Sequence, residues 1–196
     1  MNKISVICLI AVLLTACKKE QDDLPPLHPS DPAMEYISLA GKETSLNTSQ
    51  HMDLDKDGNR DFSFVTYYIG DPILKRDIVQ FAANSTIDRL LLVNNNEHSP
   101  IFNKGDIISG NGPAGYNWYD IALTPLAEKI IEEQGAPYWV GPWKDANHKY
   151  LAFRMKKNGL YYNGWFELSM DTISEKLILF KAGVCKEPGA SVRAGY

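Results

Sequence analysis

Nine residues hold the only spacing in this chain that suits a defined chemistry. Asp53-Leu54-Asp55-Lys56-Asp57-Gly58-Asn59-Arg60-Asp61 puts oxygen side chains at loop positions 1, 3, 5, 7 and 9. Alternate residues of a tight loop point to one side, and hard cations such as Ca²⁺ take six to eight oxygens in a flexible cage. Gly58 stands at position 6, where such a loop turns sharply. Four aspartates in so short a segment repel one another, and a cation would relieve them. The expectation is a calcium site in which Asp53, Asp55, Asp57 and Asp61 give side-chain oxygens and Asn59 its backbone carbonyl. Position 12 is Phe64, not a bidentate Glu. Affinity should therefore sit near that of extracellular modules, about 10⁻⁴–10⁻³ M. Tenfold excess over the dissociation constant would stabilise the domain by about 1.4 kcal/mol. That is a structural role, not Lewis-acid catalysis.

Other chemically suggestive residues are weaker. Trp118, Trp139 and Trp143 lie in aromatic runs among Gly and Pro. Such rings stack on sugars when exposed and pack as core when not. They define an alternative reading as a glycan-binding module, and a glycan-related hydrolase is the less favoured third. The carboxylate pairs Glu167/Asp171 and Asp120/Asp145 could serve acid–base catalysis only if the fold joined them. The four histidines have no metal-ligand spacing. Once Cys8 and Cys17 are assigned to the N-terminal segment below, Cys185 is left as one thiol, read as a buried structural residue. A net charge of −4 without a basic stripe argues against nucleic acid as a partner.

The elements that must position these residues read mostly as strands. Phe62–Ile69 is β-branched and aromatic. Asp77–Ala83 and Asp88–Val93 follow, joined by the polar turn Asn84-Ser85-Thr86. Tyr150–Lys156 alternates and leads through Asn158-Gly159 into Leu160–Met170. Asn-Gly suits a type I′ turn, which needs positive φ at both central residues, so a hairpin is expected. Leu177–Phe180 reads as a buried strand. One helix is expected over Thr124–Gly135. Thr124 caps it, Pro125 fits its first turn, and Leu126, Ala127, Ile130 and Ile131 share one face. The fold class is mainly β, a β-sandwich or jelly-roll-like domain with one short surface helix.

At the N-terminus, Lys3 and an apolar run from Ile4 to Leu14 precede Leu14-Thr15-Ala16-Cys17, a secretory pattern with small residues at the cut. The run falls short of the roughly 20 residues that span a bilayer. Leu14–Cys17 resembles the lipobox of bacterial lipoproteins. That resemblance implies cleavage before Cys17, acylation of its thiol with palmitate, and attachment to a membrane through lipid. Lys18–Asp23 is densely charged and Leu24–Pro32 is proline-rich. The expected organisation is a signal peptide over 1–16, a solvated tether over 17–32, and one β domain over 33–196. The charged stretch resembles the export signals of surface lipoproteins in the Bacteroidetes group. It implies an outer-membrane lipoprotein, exposed at the cell surface, with a glycan or another surface protein as partner. Asp171-Thr172-Ile173 resembles an O-glycosylation sequence of the same group.

The acidic loop matches the first nine positions of EF-hand loops. It resembles more closely the loops of secreted β proteins, including the propeller repeats called FG-GAP, of which there is a single copy here. Tyr150-Leu-Ala-Phe-Arg154, Tyr162-Asn-Gly-Trp-Phe-Glu-Leu168 and Pro188-Gly189…Ala194-Gly195 together resemble a recurring module of secreted bacterial proteins, some carrying a PEP-CTERM tag. Ala182–Cys185 and Asn163 depart from that pattern, and the tag is absent. The resemblance implies export and a β-sandwich, without a reaction. The expected function is that of a non-catalytic, calcium-stabilised lipoprotein with a binding or structural role.

Overall fold

The computed structural model describes residues 31–196. Cys17, the signal segment and most of the expected tether lie outside the described residues. The described chain is built from strands, and its sheets are antiparallel throughout. A six-stranded sheet has the order β1(Met34–Thr44), β12(Lys176–Cys185), β11(Leu160–Asp171), β10(Lys149–Lys157), β5(Arg89–Val93), β7(Asn117–Asp120). A five-stranded sheet has the order β2(Gln50–Met52), β3(Phe62–Asp71), β4(Arg76–Ser85), β8(Leu123–Glu132), β9(Tyr138–Val140). The short pair β6(Ile107–Ile108) and β13(Val192–Arg193) stands apart.

The two large sheets pack face to face through aromatic rings. Phe62 of the five-stranded sheet meets Phe153 at 4.9 Å and Phe166 at 5.3 Å, and Phe64 meets Phe166 edge-on at 5.1 Å. Edge-to-face contacts of this kind suit the ring quadrupole. The mainly β, sandwich-like expectation is therefore met. Asn158 and Gly159 have φ of 53° and 79° and join β10 to β11 as the Asn-Gly pair requires.

The expected helix over Thr124–Gly135 is a strand. β8 pairs with β4 on one side and β9 on the other. Its register slips at one point: Ala127 faces Phe81 and Pro125 faces Ala82, leaving Leu126 as an extra residue. In a β-bulge the two opposed residues turn to the same face, and here Leu126 and Ala127 both enter the core. That doubling breaks the two-residue alternation and imitates a helical stripe. Pro125 is tolerated beside the bulge, where ladder donors are dispensable. The Leu126 carbonyl accepts instead from the Trp143 N–H at 3.0 Å.

Two further differences follow from long-range pairing. Asn84-Ser85-Thr86 does not close a hairpin, because β4 and β5 belong to different sheets. β1 is a long strand that lacks a clean sequence signal. Its register shifts between Ser38 and Lys42, around Gly41 at φ 82°.

A second apolar layer covers part of the outer face of the six-stranded sheet. Tyr150, Trp165, Cys185 and Val192 pack there beneath the C-terminal segment and the loop that holds Phe102 and Ile108. Close packing in both layers explains two glycines. A Cβ on Gly164 would stand 2.3 Å from the Phe153 ring of the inner core, and one on Gly183 would stand 2.6 Å from Trp165 of the outer layer.

Candidate functional site: an acidic loop closed by an arginine

The loop Asp53–Asp61 joins β2 to β3 at one end of the sandwich. Its turns use positive φ at Lys56 (59°) and Gly58 (87°). Asp53 shapes it from within: one carboxylate oxygen accepts from the Asp57 N–H at 3.2 Å and the other from the Gly58 N–H at 2.9 Å. The Asp57 carboxylate accepts from the Asn59 N–H at 2.7 Å, which holds its pKa below the usual carboxylate range. The same end receives the chain from the N-terminus, since Lys56 pairs with Glu35 of β1 at 3.8 Å. At the opposite end, Glu175 of the hairpin tip over 171–176 pairs with Lys129 of β8, and Ile173 is 94% exposed.

Three of the predicted ligands converge. Asp53, Asp55 and Asp61 each place a carboxylate oxygen within 4.8 Å of the others. They differ in burial: Asp53 is exposed, Asp55 half-buried and Asp61 only 1% exposed. Asp57 and Asn59 are exposed and lie outside this triad.

A residue that the spacing could not reveal completes the cluster. Arg89 opens β5 of the other sheet and is largely buried. Its Nε donates to Asp61 Oδ1 and its Nη2 to Asp55 Oδ2 at 3.0 Å. Its Nη1 donates to the backbone carbonyls of Asp88 and Lys156, both at 3.3 Å. Lys157 Nζ adds a second cation 3.3 Å from Asp55 Oδ2. Asp61 Oδ2 accepts from the Leu54 N–H at 2.6 Å. Burial pushes the Asp61 carboxyl up, while the Leu54 and Arg89 hydrogen bonds pull it down, and burial is the larger effect. Asp55 Oδ1 is buried and has no hydrogen-bond partner among the described residues. The repulsion expected among the aspartates is thus relieved in part by the protein itself. A basic residue 28 positions after Asp61 carries no local signal.

The tryptophans do not form a common surface. Trp143 is fully buried and donates its indole N–H to the Ser99 carbonyl at 3.2 Å. As core it cannot stack on a sugar, so that expectation is corrected for this residue. Trp139 is half-buried against the inner core, 5.8 Å from Phe81. Trp118 belongs to the outer layer and lies under the Arg154 guanidinium at 5.1 Å, with Tyr161 also 4.9 Å from that guanidinium. The three rings follow the separate packing of the two sheets.

Three of the four carboxylates in the expected pairs have other partners. Glu167 bonds His148 Nδ1 at 2.7 Å, and Asp171 accepts from the Ile173 and Ser174 N–H groups of its own turn. Asp145 is paired with the adjacent Lys144. Cys185 is buried, as expected of a structural thiol, and burial raises its pKa. Comparisons with protein-family models, curated proteins and solved structures return no match.

Proposed function

We propose that this chain is a non-catalytic lipoprotein whose β domain is held by its Cys17 lipid outside the cell's inner compartment and stabilised there by calcium at the Asp53–Asp61 loop. The convergence of Asp53, Asp55 and Asp61 carries the reading. An all-oxygen donor set suits a hard cation, and Asp55 Oδ1 supplies an oxygen that no donor among the described residues occupies. The loop stands at the end of the sandwich where the chain enters from its N-terminal segment, so a bound ion would stiffen the junction with the tether. The role is binding or structural, at the outer membrane and towards the cell surface, with a glycan or a surface protein as the partner class.

Calorimetry of the full chain in detergent tests the ion. Millimolar Ca²⁺ should raise the melting temperature relative to chelator, and more than Mg²⁺, whose octahedral shell fits a flexible loop poorly. Asp55→Ala should remove that dependence. Absence of both a binding heat and a melting shift at millimolar Ca²⁺ overturns the calcium reading. Cys17→Ser should release the protein from membranes or block its maturation, and unchanged membrane association overturns the anchor.

A further inference from the structure

Among the described residues, four arginines are at least half-buried. Arg76 pairs with Asp71, Arg89 with Asp55 and Asp61, and Arg193 with Asp31. Arg154 is the exception. Its guanidinium lies on the outer face of the six-stranded sheet, 5.1 Å from the Trp118 ring of β7 and 4.9 Å from the Tyr161 ring of β11. Its hydrogen-bond partners are neutral. Nε donates to Asn163 Oδ1 at 2.8 Å, and Nη1 donates to the Gly110 carbonyl at 3.2 Å. Asn163, a residue that departs from the resembled module, is fully buried. Its amide donates to the Ala190 carbonyl at 2.6 Å, which turns its oxygen towards the arginine. Nη2 makes no hydrogen bond among the described residues and is not sealed from water. The Trp118 indole N–H also lacks an acceptor among the described residues. The acids on that side serve Lys156: Asp88 pairs with it at 3.3 Å, and Asp120 acts on it as well. The cluster offers donors and a positive charge without a counterion. Taking a guanidinium partly out of water is costly, and ring faces offset that cost only in part. Burial accordingly pulls the Arg154 pKa down.

We propose that Arg154, set beside Trp118 and Tyr161, binds the carboxylate of an acidic sugar. This rests on the glycan reading and names the sugar class and its site. A carboxylate supplies the missing counterion and accepts from the free Nη2, in the charge-assisted geometry that a guanidinium favours. A uronic acid carries its carboxylate directly on the sugar ring, so charge and a broad C–H face come within one residue. That matches a guanidinium and an aromatic ring 4.9 Å apart, the ring of Tyr161 being 37% exposed. Asn163 holds the guanidinium in place before the ligand arrives, so it is a positioning residue.

Titration of the full chain with trigalacturonic acid, in detergent and chelator, tests this, with the fully methyl-esterified trimer as the uncharged control. Wild type should bind the acid. Esterification and Arg154→Gln should each weaken binding about tenfold or more, as expected for loss of a charged hydrogen-bonded pair. Arg154→Lys keeps the charge without the planar fork and should also lose affinity. Equal binding of acid and ester, unchanged in Arg154→Gln, overturns the Arg154 site while leaving a glycan partner in place. No binding of the acid by wild type overturns the site, and no binding across a panel of neutral glycans as well overturns the glycan reading. Binding of an acidic peptide but not of the trimer overturns the sugar assignment. If Arg154→Gln does not fold, the Arg154 Nε–H resonance of wild type decides. It should shift with the acid and not with the ester, and a signal unmoved at saturating acid overturns the proposal.

Discussion

The acidic loop and the tryptophan loops are both runs of suggestive residues, yet the fold treats them in opposite ways. The loop keeps Asp53, Asp55 and Asp61 together because they lie within one tight turn, leaves Asp57 at its rim, and receives Arg89 and Lys157 from the tertiary structure. The tryptophans are dispersed, because each takes the environment of the layer it joins. Trp143 goes to the inner core, Trp139 to its margin, and Trp118 to the outer layer of the six-stranded sheet. Short-range spacing survives folding, whereas a set of residues far apart in sequence has no shared fate until the sheets are placed.

The largest effects should come from the buried member of each set. Trp143→Ala removes a fully buried ring and its hydrogen bond, and should cost about 3–5 kcal/mol in denaturant unfolding. Asp61→Ala should cost a similar ~3–5 kcal/mol, because it leaves Arg89 buried without its main partner. A loss under about 1 kcal/mol would mean that the Trp143 ring, or the Asp61–Arg89 pair, is not held in a buried environment.

Gly164→Ala tests the packing of the resembled motif. Its methyl would meet the Phe153 ring, and overpacking of this kind should cost roughly 1–3 kcal/mol by the same measurement. Tyr150 sharpens the picture of a sealed outer layer. Burial first, then the charge of Glu167, pushes its pKa up to about 12. The folded value is raised, so the stabilisation is fully present below the ordinary tyrosine value of about 10. It is lost as pH rises from there towards 12. Unfolding followed across that window should fall off less steeply in Tyr150→Phe than in wild type.

The smallest effect is expected at the loop's exposed rim. In the presence of chelator, Asp57→Ala should leave the denaturation midpoint close to that of wild type, since the carboxylate faces water and bonds its own turn. Comparison with Asp61→Ala under the same conditions separates loop shaping from the buried ion pair.

The sequence by itself determined the strands with strong local patterns. Phe62–Ile69, Tyr150–Lys156 and Leu160–Met170 are legible because alternation, β-branching and an Asn-Gly turn all act within a few residues. It also placed Asp53, Asp55 and Asp61 in one loop, while the fold decided that the equally expected Asp57 stays outside their cluster. The tertiary structure decided that Leu123–Glu132 is a strand, because pairing with β4 and β9 outweighs the helical preference of a short segment. The bulge at Leu126 had erased the alternation that would have revealed it. Tertiary structure alone also brought Arg89 to Asp55 and Asp61 and sent the three tryptophans to different layers. Those outcomes depend on which strands meet across the sandwich, and sheet pairing is a long-range event that no window of residues encodes.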